Sequence, residues 1–183
     1  PHTYRADFSV NSLDTEYIIA TRDDTVGGLS VLLTGSGSLS VYKNASLLDS
    51  SSAGLIALGT DYSIVLSYDG SENYTLYLNG VSIATGSTDS SGWDTTTDLH
   101  IGARGDGSES SSFVFDGTIT RASVYASALA PAGLDAASPV LDIDFTTQHH
   151  NATSITPSVG GTVSISQSGN DPATVIEYPF VRL

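Results

Sequence analysis

The sequence predicts an all-β protein built as an antiparallel β-sandwich. Its 183 residues divide into roughly a dozen short apolar stretches bounded by Gly, Ser, Asn or Asp, which is typical of strands joined by tight turns. Several stretches alternate with a period of two, so that Tyr62, Ile64 and Leu66 share one face and Ser63 lies on the other. No helical crossover separates the stretches, and this favours antiparallel pairing in two packed sheets.

The strands are predicted at residues 4–10, 16–21, 29–34, 39–43, 62–68, 74–78, 81–85, 99–103, 113–120, 122–125, 140–145, 162–167 and 174–178. Asn79-Gly80 predicts a type I′ hairpin turn between two of them, because both central residues of that turn need a positive φ. Residues 35–38 predict a looser hairpin. The one helix-like stretch is 127–137, which Pro131 and Gly133 limit to a turn or two.

Composition excludes several classes of function. Six basic residues against 20 acidic residues give a net charge of -14, which makes nucleic acid a poor partner. The absence of Cys excludes disulfides, thiolate metal sites and a Cys nucleophile. No stretch approaches 18 consecutive apolar residues, so we expect no membrane insertion. The first residues lack the pattern of a signal peptide, and we expect a chain synthesised without one.

Five motifs follow one another between residues 62 and 134, and they carry a family resemblance. They are YSIVLSYDG at 62–70, YTLYLNGV at 74–81, LHIGA at 99–103, FDGTI at 115–119 and VYASAL at 124–129. In this order they resemble the laminin-G-like, concanavalin A-like lectin/glucanase superfamily. The resemblance implies a jelly-roll β-sandwich of two curved sheets, with at most one short helix near 127–137.

Two departures from the family pattern bear on domain organisation and on the site. Thr120-Arg121 stand where such domains usually carry an acidic pair. The stretch 140–145 looks like the strand that usually opens the domain, yet here it follows the closing one. We therefore predict a jelly-roll sandwich over 1–137, with 138–183 either completing it in a permuted order or forming a small extension for subunit contact.

The carboxylates do not form the pattern of a glycoside hydrolase. Glucanases of the resembled superfamily place Glu, Asp and Glu close together on one strand, whereas the Glu residues here are isolated at positions 16, 72, 109 and 177. Asp142 and Asp144 lie two apart and are interpreted as rim or solvent-face residues. His149-His150 point to opposite sides of an extended segment, His100 is interpreted as structural, and no GxSxG elbow occurs. We predict that the protein is not an enzyme.

Loops hold the candidate ligand-binding residues, which are Trp93, Asp94, Arg104 and Asp106. Trp93 is the only Trp and lies in a polar loop, where an exposed ring could stack on a sugar; the alternative is that it caps one end of the sandwich. Arg104-Gly105-Asp106 is an integrin-recognition tripeptide at an expected hairpin tip, and its alternative is a chance match.

Calcium is the candidate cofactor, because the resembled domains often hold it at a sandwich rim with loop carboxylates. The candidate ligands are Asp23, Asp24 and Asp106, and further loop acids of the same hard-oxygen type are Asp69, Asp94, Asp98 and Asp116. No EF-hand spacing is present, and the alternative is that these carboxylates are simply solvated.

Three functions remain, and the first is a non-enzymatic structural or adhesion module with a lectin-like fold. A phage virion protein, such as a capsid decoration or a tail or fibre appendage, suits the Ser/Thr/Gly-rich composition. The alternative is a carbohydrate-binding, lectin-like module of a secreted or cell-surface protein, and a glycoside hydrolase is the least favoured. Expected partners are other virion or surface subunits, including copies of the same chain, or glycans. The expected location is the virion surface or the extracellular space.

Overall fold

The computed structural model describes residues 1–22, 27–88, 99–103 and 113–146, together with the backbone of three strands within 154–178. In chain order the strands are β1 His2–Val10, β2 Glu16–Arg22, β3 Gly27–Leu33, β4 Leu39–Lys43, β5 Ser46–Ser50, β6 Tyr62–Tyr68, β7 Asn73–Leu78, β8 Val81–Ser87, β9 Leu99–Ile101, β10 Gly117–Tyr125, β11 Leu141–Asp144, β12 Ser154–Ile155, β13 Val163–Gln167 and β14 Thr174–Tyr178. One helix, α1, spans Pro131–Leu134.

The strands form two antiparallel sheets, which confirms the predicted sandwich. The six-stranded sheet has the order β11-β10-β1-β6-β7-β8, and the eight-stranded sheet has the order β12-β13-β14-β9-β2-β3-β4-β5. Alternate residues of both sheets point inward and form a single core, in which Phe8, Ile18, Leu33, Leu66 and Leu76 are fully buried. The two outer faces are therefore free to differ in chemistry.

The predicted turn at Asn79-Gly80 is present, with φ values of 48° and 83°. A second turn joins β6 to β7, and its centre is the Asp69 carboxylate. One oxygen of Asp69 accepts the backbone N–H groups of Ser71, Glu72 and Asn73 at 2.8, 3.0 and 3.0 Å. The other oxygen accepts the Asn73 side-chain amide at 2.6 Å. Asp69 thus fixes the turn, and the same hydrogen bonds hold its pKa at about 2.

Irregular pairing explains where the strand predictions differ from the structure. A register shift between Val41 and Tyr42 places Leu47 outward, 54% exposed, and leaves Leu48 against the core. Strand β5 therefore lacks the alternation that would have predicted it. The predicted strands 113–120 and 122–125 are one strand, β10, which begins only at Gly117. Thr120 lies at its irregularity and donates its hydroxyl to the Asp7 carbonyl at 3.2 Å.

The segment after α1 contributes strands to both sheets. Strand β11 pairs with β10 at the edge of the six-stranded sheet, and its Leu141 and Ile143 side chains are buried in the core. Strand β14 pairs with β9 in the eight-stranded sheet. The division into 1–137 and 138–183 stays a prediction. In the part of the chain that the structure describes, no helix is long and apolar enough to cross a membrane.

Candidate functional site: the two outer faces

Aromatic and aliphatic side chains lie on the outer face of the eight-stranded sheet. Tyr17, Ala20 and Leu32 form a buried cluster separate from the core, and Tyr42 and Phe113 pack against it, half-buried. The Tyr17 and Phe113 rings meet edge to face, with centroids 5.9 Å apart. We call this surface, together with the serines and histidine described next, the aromatic face.

Serine hydroxyls cross the aromatic face between its apolar side chains. Ser30 lies between Ala20 on β2 and Tyr42 on β4, and Ser40 lies between Leu32 and Ser50. Their chain neighbours point into the core, so alternation directs both hydroxyls outward. The Ser40 and Ser50 hydroxyl oxygens are 2.9 Å apart and hydrogen-bond each other. Ser30 is different, because its side chain is 0% exposed and its hydroxyl has no hydrogen-bond partner.

His100 extends the aromatic face onto β9. It pairs with Ala20 in register and is buried, while its neighbours Leu99 and Ile101 face the core. Ala20 separates it from Ser30 in the same row, and the structural role predicted for it stays a prediction. Among the described side chains of this face, none is Asp, Glu, Lys or Arg.

The outer face of the six-stranded sheet carries charged side chains, and we call it the charged face. Arg5 grips Asp7 on the same strand with two hydrogen bonds of 2.9 and 2.8 Å. Arg121 on β10 grips Asp142 on β11 in the same way, at 2.9 and 2.8 Å. Asp7 lies beside Arg121 in register, so the two pairs are neighbours. Such two-pronged contacts are the strong form of an ion pair.

The same contacts decide what Asp142 can do chemically. Arg121, assisted by the Ser123 hydroxyl at 2.6 Å, holds the pKa of the Asp142 carboxyl below its usual value. Asp144 accepts the Thr146 amide at 2.9 Å and the Thr146 hydroxyl at 2.5 Å. A carboxylate whose pKa is lowered by an Arg is poorly suited to act as a general acid, so Asp142 does not have the environment of a glycosidase acid.

Next to the charged face, the α1 segment packs on the six-stranded sheet. Leu134 of α1 is buried against Val65 and Tyr125, and Tyr77 is half-buried at the margin of this contact. The Thr3 hydroxyl donates to the Ser127 carbonyl at 2.8 Å and accepts the Leu129 amide at 2.9 Å. This face is therefore occupied by the protein's own chain over part of its area.

Glu16 is the one Glu that the structure shows buried. Ser12 donates its hydroxyl to one carboxylate oxygen at 3.2 Å, and the Asp116 backbone amide also donates to the carboxylate. The second oxygen is buried without a partner. Burial raises the pKa of the Glu16 carboxyl, and the nearby charges of Asp116 and Asp14 raise it further. Glu16 pairs in register with the core residue Leu33. Its carboxylate accepts hydrogen bonds from Ser12 and from the Asp116 amide, so we interpret it as a structural link between the loops that hold these two residues.

The residues that the sequence named as candidate ligands all lie outside the described residues: Trp93, Asp94, Arg104 and Asp106 for ligand binding, and Asp23, Asp24 and Asp106 for calcium. These assignments stay predictions. Within the described ranges, no group of three or more His, Asp or Glu side chains is arranged to hold a metal ion. Asp69, one of the further loop acids, is occupied by backbone amides.

A comparison with protein-family models identifies the superfamily of this chain. The laminin-G-like family model of the Concanavalin A-like lectin/glucanases superfamily matches residues 2–134. The chain belongs to this superfamily. The resemblance identified in the sequence is thereby confirmed, and so is the lectin-like fold of two antiparallel sheets. No curated protein sequence matches the chain.

Three solved structures have folds similar to the fold of this chain. A proposed carbohydrate-binding protein from Bacteroides ovatus has a TM-score of 0.68 at 18% identity, over 88% of this chain and 50% of its own. The carbohydrate-binding module CBM40 of a Ruminococcus gnavus sialidase, bound to α2,3-sialyllactose, has a TM-score of 0.60 at 17% identity, over 74% and 80%. A leech intramolecular trans-sialidase has a TM-score of 0.55 at 18% identity, over 83% of this chain but 24% of its own. The chain thus spans half the length of the Bacteroides protein.

Proposed function

We propose that this protein is a non-catalytic carbohydrate-binding module whose site is the aromatic face. The observation that carries the proposal is the composition of that face, where Tyr and Phe rings lie on the same side of the sheet as serine hydroxyls and a histidine, and no described side chain is charged. Sugars present an apolar C–H face and a rim of hydroxyls, so aromatic rings and uncharged hydrogen-bonding groups suit both sides of them.

The fold comparisons support this proposal. The Bacteroides protein is a proposed carbohydrate-binding protein, and the Ruminococcus module was solved with a bound oligosaccharide. At 18% and 17% identity these proteins share the fold with this chain, and a fold hosts many functions. The aromatic face is the local feature that makes glycan binding the function we choose.

The charged face supports the non-catalytic part of the proposal. The carboxylates Asp7 and Asp142 are each held by an Arg, and Glu16 is enclosed between loops. The match to the leech trans-sialidase covers 24% of that enzyme, so the likeness is to a minor portion of its chain. A pair of carboxylates free to act as acid and base is not formed by the described residues.

A virion role was the first prediction from composition, and glycan binding now takes precedence over it. The structure and the comparisons supply an argument for carbohydrate and none specific to a virus particle. A phage appendage that binds host glycans would satisfy both hypotheses. Location on a virion or in the extracellular space, and assembly with other subunits, stay predictions.

The test compares two tyrosines that occupy equivalent positions on opposite faces. Tyr42 and Tyr77 are both half-buried and both pack at the margin of an outer-face cluster. We expect Tyr42→Ala to weaken binding to an immobilised panel of neutral and sialylated oligosaccharides by at least about tenfold, since a stacked ring contributes roughly 1–2 kcal/mol. Tyr77→Ala should bind as the wild type does. Equal binding by both variants, or no binding by the wild type, would contradict the proposal.

A further inference from the structure

The side chain of Glu16 joins two segments that lie outside the sheets. Glu16 begins β2 and is 3% exposed. Ser12, in the loop before β2, donates its hydroxyl to one carboxylate oxygen at 3.2 Å, and the backbone amide of Asp116, directly before β10, also donates to the carboxylate. The two segments bond each other as well, because the backbone and side-chain amides of Asn11 donate to the Asp116 carbonyl at 2.9 Å and to its carboxylate at 3.1 Å. Glu16 thus lies where both segments meet β2.

The contact at Glu16 also bears on the aromatic face, through the segment 113–116. Phe113 packs edge to face against Tyr17, the chain neighbour of Glu16. Phe115 is buried in the core, and its amide donates to the Gly102 carbonyl at 2.8 Å. The next residue along is Asp116, whose amide the Glu16 carboxylate holds. A change that loosens this contact would therefore loosen the segment that carries the Phe113 ring.

The surroundings of Glu16 are unfavourable for a negative charge. One of its two carboxylate oxygens is buried without a hydrogen-bond partner, which is costly for an ionised group. Among the described residues, the ionisable groups that act on it are Asp14 and Asp116, both acidic, and β3, which pairs with it, has no ionisable residue. Burial is the main cause that raises the pKa of the Glu16 carboxyl, the two aspartates raise it further, and the hydrogen bonds to the carboxylate do not offset this.

We propose that Glu16 is a proton-dependent link, in which a proton on its carboxyl group strengthens the contact that holds residues 113–116, and with them the Phe113 ring, against β2. When the contact opens, water reaches the carboxyl group, and its pKa returns towards the ordinary value of 4.5. Proton binding and closure of the contact therefore favour each other. The cost of the buried charge is absent below pH 4.5 and appears as the pH rises through the raised pKa. The link would act whether or not the aromatic face binds a glycan.

The experiment compares the melting temperatures of Glu16→Gln and the wild type across pH, with Glu72→Gln as the matched control. Gln has nearly the shape of a protonated Glu, and Glu72 is an exposed residue of the turn between β6 and β7. Glu16→Gln should melt about 2–4 °C above the wild type at pH 7.5, and this difference should close by pH 4.5. Glu72→Gln removes the same charge from the surface and should follow the wild type at both pH values. Other titrating groups are common to all three proteins.

Amide hydrogen exchange locates the effect in the wild-type protein itself. Protection of the Phe115 and Asp116 amides, corrected for the intrinsic pH dependence of exchange and compared with the core residue Leu66, should rise severalfold from pH 7.5 to pH 5. In Glu16→Gln it should stay constant. Equal protection at both pH values in the wild type would overturn the proposal. So would a melting difference between Glu16→Gln and the wild type that is absent, reversed or independent of pH.

Discussion

The two outer faces of this sandwich cover the same core, but they differ in charge and in how their polar side chains are hydrogen-bonded. On the charged face each described Arg grips a carboxylate, Ser123 supports Asp142, and the α1 segment covers the neighbouring surface. On the aromatic face the described side chains are uncharged, and the Ser30 hydroxyl is buried without a partner. Polar groups that hydrogen-bond one another have little hydrogen-bonding capacity left for a ligand, whereas a polar group without a partner keeps that capacity. The charged face is therefore the one whose contacts we expect to matter for stability, and the aromatic face is the one for which we propose glycan binding.

The largest effect should come from breaking the sheet beneath the charged face. Ile143 on β11 is 1% exposed and belongs to the core. Ile143→Ala should lower the free energy of unfolding by about 2–5 kcal/mol, measured by denaturant titration. Glycan affinity at a temperature where the variant stays folded should be retained.

The control for Ile143 is Val81, which is also aliphatic but 66% exposed on β8. Val81→Ala should change the free energy of unfolding by no more than about 0.5 kcal/mol. Equal effects of the two substitutions would show that β11 does not complete the sandwich. Deletion of 138–183 with no change in cooperative melting would show the same and would refute the predicted permutation.

A smaller effect should follow from opening the ion pair itself. A double-mutant cycle with Arg121→Ala and Asp142→Ala should give a coupling energy of about 1 kcal/mol, because the contact is two-pronged but Arg121 remains partly exposed. Neither substitution should alter glycan affinity. The cycle is measured by thermal or denaturant unfolding of the four proteins. A coupling energy of zero would mean that the Arg121–Asp142 ion pair does not stabilise the folded state.

The smallest effect should be on the stability of the protein at acidic pH. Hydrogen bonds from Asn73 and the turn amides lower the pKa of Asp69 from the ordinary aspartate value of 3.8 to about 2, so its contribution to stability is complete above pH 3.8 and is lost as pH falls towards 2. Asp142, whose pKa is also lowered, acts in the same direction. Glu16 acts in the opposite direction, since its raised pKa makes the protonated, acidic form the one that suits its burial.

Asp69→Asn should therefore lose less stability than the wild type when the pH is lowered from 5 to 2, as followed by thermal melting. Asp61→Asn, which changes an exposed loop aspartate, should keep the wild-type difference. If the melting temperature of Asp69→Asn fell between pH 5 and pH 2 by as much as that of the wild type, the turn would not depend on the ionised carboxylate.

The sequence predicts the fold well because alternation and turn chemistry are local. The Asn79-Gly80 turn and the strands on either side of it follow from neighbouring residues alone. Strand β5 is missed because its outward residue, Leu47, is as apolar as its inward neighbour Leu48, so the sequence shows no polar and apolar alternation there. The Arg121–Asp142 pair is missed for another reason, since the two residues are 21 positions apart and meet only when β11 pairs with β10.

The aromatic face could not be predicted in the same way. Ser30 stands within an apolar stretch, and alternation separates it from Leu29 and Val31 without indicating which side faces a ligand. Its missing partner becomes visible only when β2, β3 and β4 are aligned. From sequence alone, composition marks residues in predicted loops, such as Trp93 and Asp106, as the candidates.

The most direct test of the contrast between the faces is to map amide chemical shifts by NMR on the labelled full chain as a neutral oligosaccharide selected by the glycan panel is added. If glycans bind the aromatic face, the perturbed amides should cluster on β2, β3, β4 and β9, around Tyr42, Ser30 and His100. Perturbations centred on β1, β10 and β11, around Arg5, Arg121 and Asp142, would contradict it.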